Sequence, residues 1–263
     1  MNLFFSVIIP VYNGGKFIQR ALQSVKSQTY KNYEIIVVDN SSTDNTSSLL
    51  KRFVNDNPKL NITIITQNNL GVGGARNTGI RHALGDIIAL LDCDDTWYSN
   101  KLEETAEEYE NIPSASLIYH YQNVIKNGRV VRVFDDSREG NIYDYLVYGR
   151  NCIPVSTVTF KRSLISKIGY FKENLANTVE DYDMWLRMCK TKATVSCIME
   201  VLGECHVHDT NLSHNIKAMM SAEKDLITSH FRKNDIFSYL KAYRRLAILY
   251  LKYSKQYVLS KAR

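Results

Sequence analysis

Through its N-terminal third the chain alternates short, wholly apolar runs with stretches whose apolar positions recur at helical spacing. Phe4 to Pro10, Glu34 to Asp39, Asn61 to Thr66 and Asp86 to Leu91 read as strands, the apolar runs among them as strands buried on both faces, because each is short and bounded by turn signals. Between them, Phe17, Ala21, Leu22 and Val25 mark one helix, Ser41, Ser42, Thr43 and Asp44 are start residues for a second, and Gly71 opens a third that ends near Leu84. Parallel strands need crossovers that are nearly always right-handed, so this alternation predicts a doubly wound, mostly parallel α/β sheet whose polar strand ends share one edge.

The second half is more mixed. Ser99 to Tyr109 predicts a helix with Glu103, Glu104, Glu107 and Glu108 on its solvated face. Leu117 to Ile125 and Arg129 to Phe134 alternate around Asn127-Gly128, a hairpin signal. Asn141 to Tyr148 predicts a short helix and Val155 to Phe160 a strand of a smaller mixed sheet. Glu180 and Asp181 begin a helix whose apolar face is Met184, Trp185 and Met188. Near the C-terminus, Tyr239, Tyr243, Leu246, Tyr250, Tyr253 and Tyr257 recur at intervals of four and three, with Lys241, Arg244, Arg245, Lys252 and Lys255 opposite.

Composition is that of a soluble globular protein, 44% hydrophobic and 23% charged. No run is long enough to span a membrane and Met1 to Pro10 lacks the features of a leader, so a cytoplasmic protein is expected. The five scattered cysteines suit reduced thiols. The net charge of +6 resides wholly after residue 216, where 11 lysines and arginines face 3 acids. That distribution argues against a nucleic-acid groove on the main body and directs attention to an anionic partner of residues 217–263. A Tyr-lined basic helix suits an anionic membrane surface; packing of the tyrosines on the main body, or a homo-oligomer contact, are the other readings.

The chemistry gathers at the predicted strand ends. The run from Asp86 stops abruptly in Asp92-Cys93-Asp94-Asp95, and carboxylates clustered at one strand end raise each other's pKa unless a cation such as Mg²⁺ or Mn²⁺ sits among them. Asp39 closes the second strand, where a carboxylate can accept the N3–H of a uracil ring with Tyr12 along the base. Gly71, Gly73 and Gly74 let the backbone approach a diphosphate, and Arg76 adds a bidentate cation. Arg76 also spoils a dinucleotide fingerprint, and the loop follows the third strand, so hydride transfer is disfavoured.

Ser6 to Asn13, Val38 to Asp44, Gly71 to Gly79 and Leu91 to Asp95, in that order, resemble a family 2 glycosyltransferase of the GT-A fold over residues 3 to about 215. The resemblance implies inverting transfer of a sugar from a nucleoside-diphosphate donor, a UDP-sugar by family precedent, to a saccharide or lipid-linked saccharide acceptor in surface polysaccharide synthesis. It implies that the donor lies against Pro10, Tyr12, Asn13, Asp39, Asn69, Gly71, Arg76, Asp92, Cys93 and Asp94. Asp94 would hold the metal, joined by His208, which with Ser213 matches a downstream His motif; His206 stands where that motif has Arg. Asp181 matches the catalytic base of the Glu-Asp motif, with Glu180 placing the acceptor, and Asp95 and Trp185 would face the acceptor or donor sugar. The expected organisation is a catalytic domain over 1–215, split into a nucleotide-sugar half (1–98) and an acceptor half (99–215), and a basic helical tail over 216–263. A peripheral position at the inner face of a membrane follows from that tail. The rival classes are a nucleotide-sugar-binding module without turnover and a metal-dependent hydrolase.

Overall fold

The computed structural model describes residues 2–173, 175, 179–208, 216–231 and 236–261. The N-terminal third follows the predicted alternation: β1 (Phe5–Val11), α1 (Ile18–Lys26), β2 (Tyr33–Asp39), α2 (Thr46–Asp56), β3 (Ile62–Thr66), α3 (Gly71–His82) and β4 (Ile87–Leu90). These four strands lie parallel in the order β3-β2-β1-β4. β1 shows why the inner strands are largely apolar on both faces, whereas the edge strand β3 is only half-buried. Val7 and Ile9 pack with Ala21, Leu22 and Val25 of α1 on one face, while Ile8 belongs to a second core on the other. α3 approaches β1 so closely that a Cβ at Gly79 would sit 2.4 Å from Cγ2 of Ile8.

The chain continues through β5 (Thr96–Trp97), α4 (Lys101–Asn111), β6 (Ala115–Lys126), β7 (Arg129–Phe134), α5 (Tyr143–Tyr148), β8 (Thr159–Lys161), α6 (Ile165–Ile168), α7 (Glu180–Lys190) and β9 (Thr194–Val207). Its strands form the mixed part of the same sheet, which runs β4-β8-β6-β9-β5 with β7 paired to β6. The β6–β7 turn places Asn127 and Gly128 at φ of 51° and 73°, the left-handed pair that a tight hairpin turn requires. Val155 to Phe160 is not one strand. Val155–Thr157 forms a 3-10 turn and only then does the chain pair with β4, because Thr157 N–H closes back on the carbonyl of Pro154.

Two helices end the described chain, α8 (Ile216–His230) and α9 (Ile236–Lys261). The tyrosine stripe does not pack as a unit. Tyr239, Tyr243 and Tyr250 are exposed and Leu246 is half-buried, while the buried line is Ser238, Ala242, Arg245, Leu249 and Tyr253. A repeat of about 3.5 residues drifts by about 20° per heptad around a straight helix, so the stripe meets the core only near Tyr253. Arg245, placed by the sequence on the basic face opposite the tyrosines, is buried because Glu223 of α8 accepts a hydrogen bond from its Nη2, and the same carboxylate takes the Tyr253 hydroxyl at 2.7 Å. The side chain of Tyr257 lies outside the described residues.

Candidate active site

The C-terminal ends of β1, β2 and β4 open on a cleft of about 1120 Å³. Pro10, Tyr12, Asn13, Asn69, Gly71, Arg76, Asp92, Cys93, Asp94, Glu180, Asp181 and His208 all line it. The sheet edge brings the first nine together. α7 and the end of β9 supply the other three, from a part of the chain about 90 residues or more downstream.

Two loops are held open by polar side chains. Asn13, at φ 50°, accepts from the backbone N–H of Thr43 through Oδ1, tying the β1 loop to the β2 loop. Asn40 is buried at the hub. Its Nδ2 donates to Asn69 Oδ1 and to the Gly71 carbonyl, and its Oδ1 accepts from Gln67 Nε2 and Leu70 N–H. Gly71 takes a φ of 72°, which favours glycine, where the loop turns into α3.

Arg76 is the electrostatic centre. It is 3% exposed, and its Nη1 donates to Glu180 Oε1 at 2.6 Å while Nη2 donates to Asp92 Oδ1 at 2.8 Å. Burial opposes its charge, but the two carboxylates outweigh that and hold the guanidinium firmly protonated. Arg76 Nε and Glu180 Oε2 are buried without a hydrogen-bond partner among the described residues. Glu180 Oε2 is thus an acceptor with unfilled capacity in a residue that lines the cleft.

The acids after β4 diverge. Asp94 Oδ2 meets His208 Nε2 at 2.8 Å, and the imidazole is stacked on Phe17, ring centroids 4.3 Å apart at 16°. Arg20 Nη2 donates to the Asp94 carbonyl. Burial and then Asp92 raise the Asp94 pKa, with His208 opposing them. That is a site in which a cation would relieve carboxylate repulsion, and the donor set of one carboxylate and one imidazole suits Mn²⁺ or Mg²⁺. Among the described residues no cluster of three or more His, Cys, Asp or Glu side chains forms a cage. A cation would therefore rest on Asp94, His208 and oxygens of its ligand.

Asp95 turns the other way. It is 6% exposed, its Oδ2 accepts from Ser156 Oγ at 2.6 Å and its Oδ1 from the His206 N–H, so it braces β9 behind the cleft. Contact with a sugar does not fit that position. Trp185 is likewise removed: at 0% exposed, its indole N–H donates to the Ile153 carbonyl and its ring fills the core beneath α7. Asp39, expected against the donor, is buried at the end of β2 with Oδ1 accepting from Ser42 N–H, and it is not among the residues that line the cleft. Ser213 lies outside the described residues. Asp181 stands at the cleft wall, partly buried, and burial together with Glu180 raises its pKa to about 7 against the opposing pull of Arg76. Among the cleft residues that the sequence did not single out are Asn40, whose side-chain partners lie in one stretch about 30 residues downstream; Phe17, read as a core position; Lys16; and Met219 of α8.

A family model described as Glycosyl transferase family 2 matches residues 6–170. The chain belongs to glycosyl transferase family 2. This transferase is 28% identical to the amylovoran biosynthesis glycosyltransferase AmsB of Erwinia amylovora, over 92% of its own length and 83% of the relative's. It is 34% identical to the UDP-Glc:alpha-D-GlcNAc-diphosphoundecaprenol beta-1,3-glucosyltransferase WfgD of Escherichia coli, over 70% of its own length and 69% of the relative's. Among solved structures, S. aureus TarS 1-349 in complex with UDP-GlcNAc matches with a TM-score of 0.73 at 22% identity, covering 94% of the transferase and 71% of that chain. Mannosyltransferase PcManGT from Pyrobaculum calidifontis in complex with GDP-Man and Mn²⁺ matches with a TM-score of 0.68 at 20% identity, over 95% and 71%. At these identities the structural likeness is one of fold, and the transferase has the GT-A fold.

Proposed function

We propose that this glycosyltransferase moves a sugar from a UDP-sugar to a hydroxyl of a saccharide or lipid-linked saccharide, with inversion, in the assembly of a surface polysaccharide. The observation that carries the reading is that Asp181, a carboxyl whose pKa is raised to about 7, lines the same cleft as Arg76 and the Asp94–His208 pair. AmsB and WfgD, by their names, build a polysaccharide and glucosylate a diphosphoundecaprenol-linked sugar, which supports the acceptor class. The UDP-GlcNAc complex of TarS supports a UDP-sugar donor.

In this reading Asp181 takes the proton of the acceptor hydroxyl as its oxygen bonds to the anomeric carbon and the bond from that carbon to UDP breaks on the opposite face. Glu180, held by Arg76 through one oxygen, offers the other to a second acceptor hydroxyl. Arg76 lends fixed positive charge near the departing diphosphate. Asp94 and His208 would hold Mg²⁺ or Mn²⁺, which when bound offsets diphosphate charge. Tyr12, 53% exposed on the cleft wall, is free to lie along the base, and Asp39 is the proposed base contact.

A thermal-shift screen of nucleotide sugars with and without Mn²⁺, followed by product analysis with saccharide acceptors, tests this. Mn²⁺-dependent stabilisation by a UDP-sugar and an inverted glycoside product are expected. Stabilisation by no uridine nucleotide, or release of free sugar in place of a glycoside, would overturn it.

A further inference from the structure

The face of α9 that points away from the core is apolar. Phe237, Leu240, Tyr243, Tyr250 and Leu251 are each between 60% and 72% exposed. At about 100° per residue they fall on the side opposite the buried line through Ala242, Arg245 and Leu249. A helix packed on a globular domain ordinarily turns polar residues outward, so two apolar faces on one helix imply a second apolar environment. No helix among the described residues is long and apolar enough to cross a membrane.

Charge selects the partner. α9 carries six lysines and arginines and no Asp or Glu. Arg244 lies within the outward apolar face and Lys241 flanks it, while Lys252 turns back to Glu223 of α8 at 3.4 Å. Exposed tyrosines among leucines and cations are the composition of a helix lying in a lipid interface, where aromatic rings sit at headgroup depth and cations meet lipid phosphates. A second copy seated on the same face would instead set these cations against their own equivalents with no acid in the helix to offset them.

We infer that the outward face of α9 is a monotopic docking surface for an anionic lipid membrane, with Leu240, Tyr243 and Leu251 inserted and Lys241 and Arg244 on the headgroups. The cleft is tied to this surface through the helix pair. α9 is clamped to α8 by the buried Glu223–Arg245–Tyr253 cluster, and α8 carries Met219 into the cleft wall. The surface deepens the proposed function, since a lipid-linked acceptor would be met there, but docking needs neither donor nor acceptor and can be measured without them.

The test is cosedimentation of the full chain with vesicles of phosphatidylglycerol and phosphatidylethanolamine, against vesicles of phosphatidylcholine alone. The chain is expected to pellet with the anionic vesicles, less so as salt rises, and not with the neutral ones. Both Lys241→Glu/Arg244→Glu and Leu240→Ser/Tyr243→Ser/Leu251→Ser should lower partitioning by about tenfold or more. All five side chains are exposed, so both variants should keep the wild-type melting temperature and UDP-induced stabilisation, which separates a failure of docking from a failure of the nucleotide reading. Binding indifferent to lipid charge, or unaffected in both variants, would overturn the inference. So would a wild-type dimer in sedimentation equilibrium that the Leu240→Ser set dissolves while no vesicle binding is seen, which assigns the face to a second copy.

Discussion

Arg76 and Glu180 stand 104 positions apart and meet at 2.6 Å, fastening the first turns of α3 to the N-terminus of α7. Asp92, at the end of β4, takes the other arm of the same guanidinium. One buried cation thus ties the glycine-rich loop, the acidic strand end and the helix that bears Asp181.

Arg76→Met removes the cation and leaves the buried Glu180 carboxylate without its partner, beside an Asp92 that is one-third exposed. Breaking a buried pair by deleting one partner typically costs about 3–5 kcal/mol, and a loss of that order is expected from urea denaturation. Arg76 also holds the Asp181 pKa down, so the acid limb of any residual activity should move to higher pH.

Asp181 sets a pH dependence of definite sign. As the base it acts deprotonated, so transfer should rise with pH and level off above about 7. Stability runs the other way. A carboxyl whose folded pKa lies above its unfolded value of 3.8 favours the fold while protonated, and that contribution is lost as pH rises through about 7. Without nucleotide, Asp181→Asn should therefore melt higher than wild type on the alkaline side and match it in acid, as differential scanning calorimetry can check.

Asn40→Ala would orphan the partners of a buried amide that links the β2 and β3 loops to Gly71. A loss of about 1–3 kcal/mol is expected. Because the hub shapes the donor loop and touches no reacting atom, KM for the donor should rise more than kcat falls in steady-state kinetics.

Neighbouring Asp94 and Asp95 should separate cleanly. Asp94→Asn is expected to weaken Mn²⁺-dependent UDP binding by about 10- to 100-fold in calorimetric titrations, the range seen even for outer partners of metal sites. Asp95→Asn, which keeps the size of a side chain held by Ser156 and the His206 N–H, should leave that affinity near wild type.

The fold and most of the cleft were legible because they depend on periodicity and on residues at strand ends. β1 and β4 are apolar on both faces, so the polar residues that follow them emerge at the shared edge, as Tyr12, Asp92 and Asp94 do, whereas Asp39 at the end of β2 stays 2% exposed and outside the cleft lining. What failed depended on partners distant in the chain. Asp95 looked equivalent to Asp94, yet the turn after β4 sends it inward to Ser156, a partner 61 positions away. Trp185 follows Asp181 by one helical turn and so shares its side of α7, but its indole N–H is taken by the carbonyl of Ile153, 32 positions away, and its ring is 0% exposed in the core. Arg245 was grouped with the basic residues opposite the tyrosine stripe, and the carboxylate that buries it, Glu223, sits on a different helix. Asn40 lay inside the Val38 to Asp44 stretch without a role of its own, since the four hydrogen bonds of its side chain go to residues 67 to 71, brought across by the sheet.

The central claim is that Asp181 acts as base in a cleft built to bind a nucleotide sugar. It is tested most directly by measuring transfer from the donor and UDP affinity side by side for wild type and Asp181→Asn. The account predicts that transfer falls by about 100- to 10,000-fold, the range a positioned base supplies, with UDP affinity unchanged. Transfer at the wild-type rate by Asp181→Asn would contradict it.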